Sequence, residues 1–450
     1  MQTTIRAAAI ILLLVAAIPT FSGENKRMSK IAATPPMGWN SYDAFGGRVT
    51  EEHVKANADY VAKYMNKCGW EYVVIDIAWY AEYSAPMPAY DIASLNIDEY
   101  GRVIPSPTLF PSSTNGRGFK PLADYIHAKG LKFGIHIMRG IPRVAVKQNT
   151  PVLGSKAKAA DIANTKGICW WWEHTYGVDA TKDGAQAYYD SIIKLYADWG
   201  VDFIKADDTS RPYHKGEIDM INAAIRKCSR PIVLSLSPGP TKLASADQVT
   251  EDANMWRLSA DLWDRWGDIY KSFDYAEQWN PHRSPGHWPD LDMLPLGKLE
   301  VLPAEDGPER WSRLTHDEQI TTMTLWVIFR SPLMVGGDMP QNDEWTKSLL
   351  TNAEVLDITQ RSLNNRQLYR TKTRAAWVAD GPKGVHYLAL FNMGIRATTP
   401  LVALSQMGLT GRFAVRDLWA RQDLGEVGSA VSSRVPSHGA RLLKLTPVLP

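Results

Sequence analysis

From Pro35 to about residue 358, short apolar runs alternate with longer amphipathic ones. The short runs read as strands: Met37–Ser41, Tyr72–Trp79, Lys132–Met138, Asp202–Ala206, Pro231–Ser237, Met255–Ser259, a piece near Trp288, and Pro332–Val335. Between them, apolar residues recur at three- and four-residue spacing. That spacing predicts helices over Glu51–Lys67, Phe119–Lys129, Gly184–Trp199, Ile218–Lys227, Asp261–Tyr275 and Thr315–Arg330. Eight βα units in about 320 residues predict an α/β fold of the (β/α)8 TIM-barrel kind, spanning 31–358. An open doubly wound sheet has the same periodicity, but no Gly-x-Gly-x-x-Gly follows the first strand to bind a dinucleotide.

Past about residue 360 the pattern changes to short strands split by turn residues, at Ala375–Val378, His386–Asn392, Arg412–Asp417 and Gly439–Leu445. Residues 359–450 therefore read as a small C-terminal antiparallel β-sandwich that supports the barrel. Two connections, Tyr83–Phe119 and Gly140–Ala180, are too long for plain turns. After the second and third strands of a barrel they would shape the substrate mouth.

Composition narrows the partners. The 450 residues are 45% hydrophobic and 22% charged, with a net charge of +2 and no long run of one sign. Neither nucleic acid nor an anionic membrane is expected as a partner. Arg6 followed by the apolar run Ala7 to Ile18 and small residues near Ser22 reads as a signal peptide over 1–22, giving a secreted or periplasmic protein without a membrane anchor. Cys68, Cys169 and Cys228 make no disulfide framework. Oligomeric state is not readable.

The chemistry gathers at strand ends. Trp199-Gly-Val-Asp-Phe-Ile-Lys-Ala-Asp-Asp208 ends a strand in Lys205, Asp207 and Asp208, and Asp76, Asp261, Asp290 and Asp292 follow other strands. A barrel brings such positions to one rim. Glycosidic hydrolysis needs two carboxyl groups there, one to attack or activate water and one to protonate the leaving oxygen. Metal binding is the rival use of clustered Asp, but the ten His residues show no His-x-x-x-His spacing, and no metal or organic cofactor is expected. His136 stands alone among apolar neighbours, in the manner of a hydrogen-bonded pocket or core residue rather than a metal ligand. No Gly-x-Ser-x-Gly elbow marks a nucleophilic serine.

Six motifs carry a resemblance in order: Pro35-Pro-Met-Gly-Trp-Asn-Ser41, Gly130-Leu-Lys-Phe-Gly-Ile135, Trp199-Gly-Val-Asp202, Trp256-Arg-Leu-Ser-Ala-Asp261, Trp288-Pro-Asp-Leu-Asp-Met-Leu294 and Ser331-Pro-Leu-Met334. Together they resemble glycoside hydrolase family 27, the α-galactosidases, α-N-acetylgalactosaminidases and β-L-arabinopyranosidases. Val415–Trp419 and Ser437–Leu443 resemble that family's C-terminal β-domain. The resemblance implies a retaining exo-glycosidase acting on terminal α-D-galactosyl residues of oligosaccharides or polysaccharide side chains. It makes Asp207 the nucleophile and Asp261 the acid/base, with the two carboxyl groups about 5–5.5 Å apart. It also implies substrate contacts from Asp76 and Lys205 to ring hydroxyls, from Arg257 near the 2-hydroxyl, and from Asp292 with Met293 on the pocket floor.

Departures from the family pattern bear on substrate choice. Ile77 stands where many relatives carry a second Asp that holds the 4- and 6-hydroxyls. Its branched side chain is expected to fill the space of the exocyclic CH2OH and favour β-L-arabinopyranose, which lacks that group. Alternatively, Ile77 only packs. Tyr42 replaces a common sugar-stacking Trp, His136 a common Tyr, and Thr209 a disulfide Cys of eukaryotic relatives. Tyr42, His136, Trp79 and Ser237 are further candidate sugar contacts, Ser237 near a pocket for the 2-substituent. One Trp of Cys169-Trp-Trp-Trp172 is a candidate platform for the sugar beyond the scissile bond. The reading outside the class is a barrel that binds carbohydrate without cleaving it.

Overall fold

Strand β1 (Met37–Asn40) runs parallel to β2 (Tyr72–Ile75), and Gly38 permits their close approach: a Cβ there would lie 2.4 Å from the Tyr72 carbonyl oxygen. The computed structural model describes residues 31–84, 91–303 and 307–448. The signal peptide expected over 1–22 lies outside the described residues.

Parallel pairing continues in chain order through β3 (Lys132–Met138), β4 (Phe203–Asp207), β5 (Val233–Leu236), β6 (Met255–Arg257) and β7 (Trp288–Asp290). Strand β8 (Leu333–Val335) pairs with β1. The ring closes where Leu294, just past β7, bridges in parallel to Val335 and donates its N–H to Met334 at 2.7 Å. This is a TIM barrel, as its alternating pattern predicts. Its inner layer is a separate apolar cluster built from Tyr72 and Val74 of β2 with Phe203, Val233, Met255, Trp288 and Met334 of five other strands.

The helices α1 (Glu51–Tyr60), α2 (Lys120–His127), α3 (Ala185–Trp199), α4 (Lys215–Lys227), α5 (Ala246–Asp252), α6 (Trp266–Trp279) and α7 (His316–Phe329) surround the strands. In α3 the buried stripe Tyr188, Ile192, Tyr196 and Trp199 follows helical spacing, and Gly200 caps the end in the left-handed region at φ 94°. Helix α7 starts with a capping box: Thr315 accepts from the Glu318 N–H, and Glu318 accepts from the Thr315 N–H at 2.9 Å.

Several expected boundaries shift, and two of the shifts bear on the cavity. The second strand stops at Ile75 rather than Trp79, because Ala78 at φ 68° turns the chain. Helix α6 starts at Trp266 rather than Asp261, because the preceding loop is claimed elsewhere: Leu262 N–H binds Asp292, and Asp264 pairs with Arg310.

Beyond α8 (Glu344–Leu350) and α9 (Ala353–Arg361) comes the C-terminal domain. Its strands are β9 (Leu363–Arg370), β10 (Arg374–Asp380), β11 (His386–Asn392), β12 (Leu401–Ala403), β13 (Phe413–Asp417), β14 (Gln422–Val427), β15 (Ala430–Ser432) and β16 (Ala440–Pro447). An antiparallel sheet of order β9-β10-β11-β16-β13-β14 faces the two-stranded β12-β15. Period-two alternation splits the sheet's side chains. Ala376, Val378, Leu388, Leu390 and Leu443 pack toward Val402 and Val431, while Trp377, Ala389, Phe391 and Leu442 join the core that includes α7. The sheet is therefore apolar on both faces, and α7 is buried along nearly its whole length. Its Thr321 donates to the His438 carbonyl at 2.7 Å, fixing the domain to the barrel.

Candidate active site

The C-terminal ends of the barrel strands open into a cavity of about 210 Å³. That is room for one sugar ring rather than a drug-sized ligand, whose pockets run to about 300–1,000 Å³. A larger groove of about 660 Å³ lies between α6 and β9, away from the strand ends.

Six of the expected residues line the cavity on the strand side: Asp76, Ile77, Lys205, Asp207, Arg257 and Asp292. Tyr42 joins them from the short helix after β1, and Asp261 from the loop after β6. Asp76, immediately after β2, accepts from Lys205 Nζ at 2.8 Å and from Asn40 Nδ2 at 2.7 Å. Burial, the largest single effect, would raise its pKa, but the Lys205 and His136 charges and the hydrogen bonds from Lys205 and the Ile77 N–H together hold the carboxyl well below the usual range. Lys205 in turn is raised: burial opposes its charge, and Asp76 and Asp207 more than compensate.

Asp207 ends β4. Its Oδ1 accepts the Asp208 N–H at 2.7 Å, and its Oδ2 lies 2.9 Å from His136 Nε2 on β3. Burial would push Asp207 up, but the His136 hydrogen bond leads the effects that hold it below the usual carboxylate range. An ionised carboxylate only accepts, so His136 carries its proton on Nε2.

Across the cavity, Arg257 Nη2 reaches both Asp261 at 2.9 Å and Asp292 at 2.5 Å. Asp292 also accepts the N–H groups of Leu262 and Met293, each at 2.7 Å, and sits in the left-handed region at φ 91°. Burial, then the nearby Asp261 and Asp290 charges, push Asp292 up to about 7 against the pull of Arg257. The two carboxylates assigned to chemistry differ in access. The Asp207 side chain is 11% exposed, whereas that of Asp261 is 52% exposed.

Three expected sugar contacts do not line the cavity. Trp79 is fully buried, sent back by the turn at Ala78. Its ring lies 5.0 Å from Phe119 and its N–H binds the His136 carbonyl at 2.7 Å. Ser237 stays tied to β4, its N–H on Ala206 and its carbonyl on Thr209, so Pro238 forms the wall instead. His136 is buried behind Asp207 and positions that carboxylate rather than facing the cavity.

The structure adds residues that sequence reasoning missed: Asp43, Arg211, Leu262 and Trp263. Asp43 directly follows Tyr42 and Leu262-Trp263 directly follow Asp261, so adjacency was the available signal. From the long third loop, both Trp170 and Trp171 reach the rim. Among the described residues, no three His, Cys, Asp or Glu side chains are arranged to hold a metal ion.

Residues 146–361 match the family model described as alpha galactosidase A, and residues 371–445 match that of the alpha galactosidase C-terminal beta sandwich domain. An α-galactosidase of Oryza sativa subsp. japonica is 28% identical over 425 residues, covering 93% of this chain and 86% of its own. The crystal structure of a family 27 β-L-arabinopyranosidase from Geobacillus stearothermophilus, in complex with arabinose, is 50% identical at a TM-score of 0.90. The match covers 94% of this chain and 99% of that one. This chain belongs to glycoside hydrolase family 27. It is a glycoside hydrolase, and its substrate is a carbohydrate. A second family 27-like structure, a candidate α-N-acetylgalactosaminidase from Bacillus halodurans C-125, is 45% identical at a TM-score of 0.83, covering 92% and 98% of the two chains. Family membership accounts for the barrel, the sandwich and the acidic cavity together.

Proposed function

We propose that this family 27 hydrolase is a retaining exo-glycosidase that removes terminal pyranosides of galacto configuration, with β-L-arabinopyranosides preferred over α-D-galactosides. The sequence reading put the galactoside first. The observation that carries the change of order is Ile77, an apolar, branched side chain in the cavity wall next to Asp76. A carboxylate there would bind the 6-hydroxyl of galactose. Isoleucine offers no acceptor and takes up the room of the CH2OH. One such contact is worth about 10–200-fold in discrimination. The 50% identity to an arabinopyranosidase supports the same order.

The proposed reaction has two displacements. Asp207, ionised and held by His136 and the Asp208 N–H, attacks the anomeric carbon. The bond to the leaving oxygen breaks as Asp261 delivers a proton to that oxygen. Asp261 then takes a proton from water, whose oxygen displaces Asp207 and restores the starting configuration. The buried position of Asp207 suits a nucleophile shielded from solvent. The open position of Asp261, anchored by Arg257, suits a group that must exchange protons with leaving group and water. Asp76 with Lys205 would hold ring hydroxyls. A 2-acetamido group would need the small Ser237 at the wall. Pro238 occupies that place, which weighs against a galactosaminide.

The test is a paired kcat/KM measurement on p-nitrophenyl β-L-arabinopyranoside and p-nitrophenyl α-D-galactopyranoside, with Ile77→Asp beside wild type. Faster arabinoside cleavage, narrowed or reversed by Ile77→Asp, is expected. Faster galactoside cleavage that Ile77→Asp leaves unchanged would make Ile77 a packing residue. Cleavage of neither, nor of an N-acetylgalactosaminide, would favour a barrel that only binds.

A further inference from the structure

Asp43 sits on the short helix Tyr42–Phe45 that follows β1. It lines the cavity, is 2% exposed, and its Oδ2 has no hydrogen-bond partner. The other strand-end carboxylates of the cavity are all bonded: Asp76 to Lys205 and Asn40, Asp207 to His136, Asp292 to Arg257. A buried carboxyl left unpaired destabilises a fold, so its presence in a cavity wall calls for a partner that arrives later.

The fold makes room for it. Gly336, just past β8, lies against Asp43, and a Cβ at that glycine would stand 1.9 Å from Oδ2. The helix backbone is fixed too, with the Glu300 N–H on the Asp43 carbonyl at 2.8 Å and the Leu302 N–H on the Ala44 carbonyl at 2.9 Å. Asp43 is thus held in place rather than left to swing to solvent.

Its charged neighbours come from four other strand ends. Asp292 follows β7, Lys205 lies on β4, Asp76 follows β2 and Asp261 follows β6. Burial first, then three carboxylates against one ammonium, raise Asp43 well above the usual carboxylate range. This setting favours the neutral form of the acid, and a neutral carboxyl is a hydrogen-bond donor. A neutral Asp43 would add a donor on a side of the cavity that Lys205 and Arg257 do not serve through their carboxylate bonds. Lys205 and Arg257 already bond carboxylates, whereas a sugar hydroxyl that donates to Asp76 or Asp292 still has lone pairs to satisfy.

We propose that Asp43 is a further substrate-binding residue, its carboxyl donating a hydrogen bond to a ring hydroxyl of the bound pyranose. The inference rests on the sugar-pocket reading above and deepens it. Asp43 takes no part in bond making or breaking.

The experiment measures dissociation constants of L-arabinose and D-galactose between pH 5 and 8, by calorimetry, for wild type, Asp43→Asn and Asp43→Ala, with the melting temperature of each. Asp43→Asn keeps an N–H donor and cannot titrate. It should bind close to wild type, because both side chains can donate a hydrogen bond to the sugar. Asp43→Ala should bind about tenfold more weakly at pH 5 and melt no lower than wild type. Equal sugar affinity in wild type and Asp43→Ala overturns the proposal alone. A lower melting temperature with unchanged affinity also overturns it, by making Asp43 structural. Binding of neither sugar by wild type overturns this proposal together with the sugar-pocket reading.

Discussion

His136 Nε2 stands 2.9 Å from Asp207 Oδ2, joining the ends of two neighbouring barrel strands. The imidazole is wholly buried, so the bond is not shared with water. Hydrogen bonds to charged groups are worth about 1.5–3 kcal/mol. His136→Phe keeps the ring volume and removes the donor. It should lower kcat/KM by about 10–150-fold. Asp207 should then ionise at higher pH, so the acid limb of the kcat/KM profile should move upward. His136→Gln, which retains an N–H, should recover part of both losses. A pH–rate profile of the three proteins checks this.

Gly336→Ala should reproduce an Asp43 defect without touching Asp43. The new methyl would overlap the Asp43 carboxyl and displace it. Overpacking of this kind costs about 1–3 kcal/mol of stability. A lowered melting temperature together with weakened L-arabinose binding is expected, measured by scanning and titration calorimetry on the same samples.

Trp170 is 73% exposed at the cavity rim. A large aromatic surface left open there suits stacking on a second sugar. Trp170→Ala should raise KM several-fold for a disaccharide substrate and leave the p-nitrophenyl arabinoside nearly unaffected. Stability should be unchanged, since little surface is buried. Steady-state kinetics on the two substrates separate the effects.

Asp290 gives a pH signature in stability rather than rate. Burial, against Arg257, pushes it up to about 6 in the folded protein, whereas an unfolded Asp titrates near about 3.9. Between these values the native state holds a proton that the unfolded chain has lost. Stability from this group is therefore present below about pH 4 and declines as pH rises to about 6. Asp290→Asn can still accept the Asp292 N–H and does not titrate. Its unfolding free energy should fall less than that of wild type across this window, by about 2–3 kcal/mol. Denaturant unfolding at pH 4 and pH 6.5 reads the difference.

The barrel was legible because each strand is a short apolar run that ends in charge, and Lys132–Met138 has the same bounds in sequence and structure. The edge strands β9 and β14 were not. Leu363–Arg370 and Gln422–Val427 are mostly polar and exposed, so they carry no apolar alternation to read. Within the cavity, residues at strand ends were placed well, because the βα repeat fixes where a strand end must go. Trp79 was misplaced because a single non-glycine residue at positive φ, Ala78, turns the chain, and an alanine gives no such signal. Asp43 was missed for a different reason. The room for its carboxyl lies against Gly336, almost 300 residues away in sequence, and only folding brings the two together.

The central claim is a covalent intermediate on Asp207, and trapping it is the most direct test. The enzyme would be incubated with a slow-turnover fluorinated arabinopyranoside, digested, and its peptides weighed. One peptide, heavier by a single glycosyl group, is expected, with the sugar on Asp207. An inactivated enzyme labelled on another residue, or rapid turnover without any adduct and with inversion at the anomeric carbon, would contradict it.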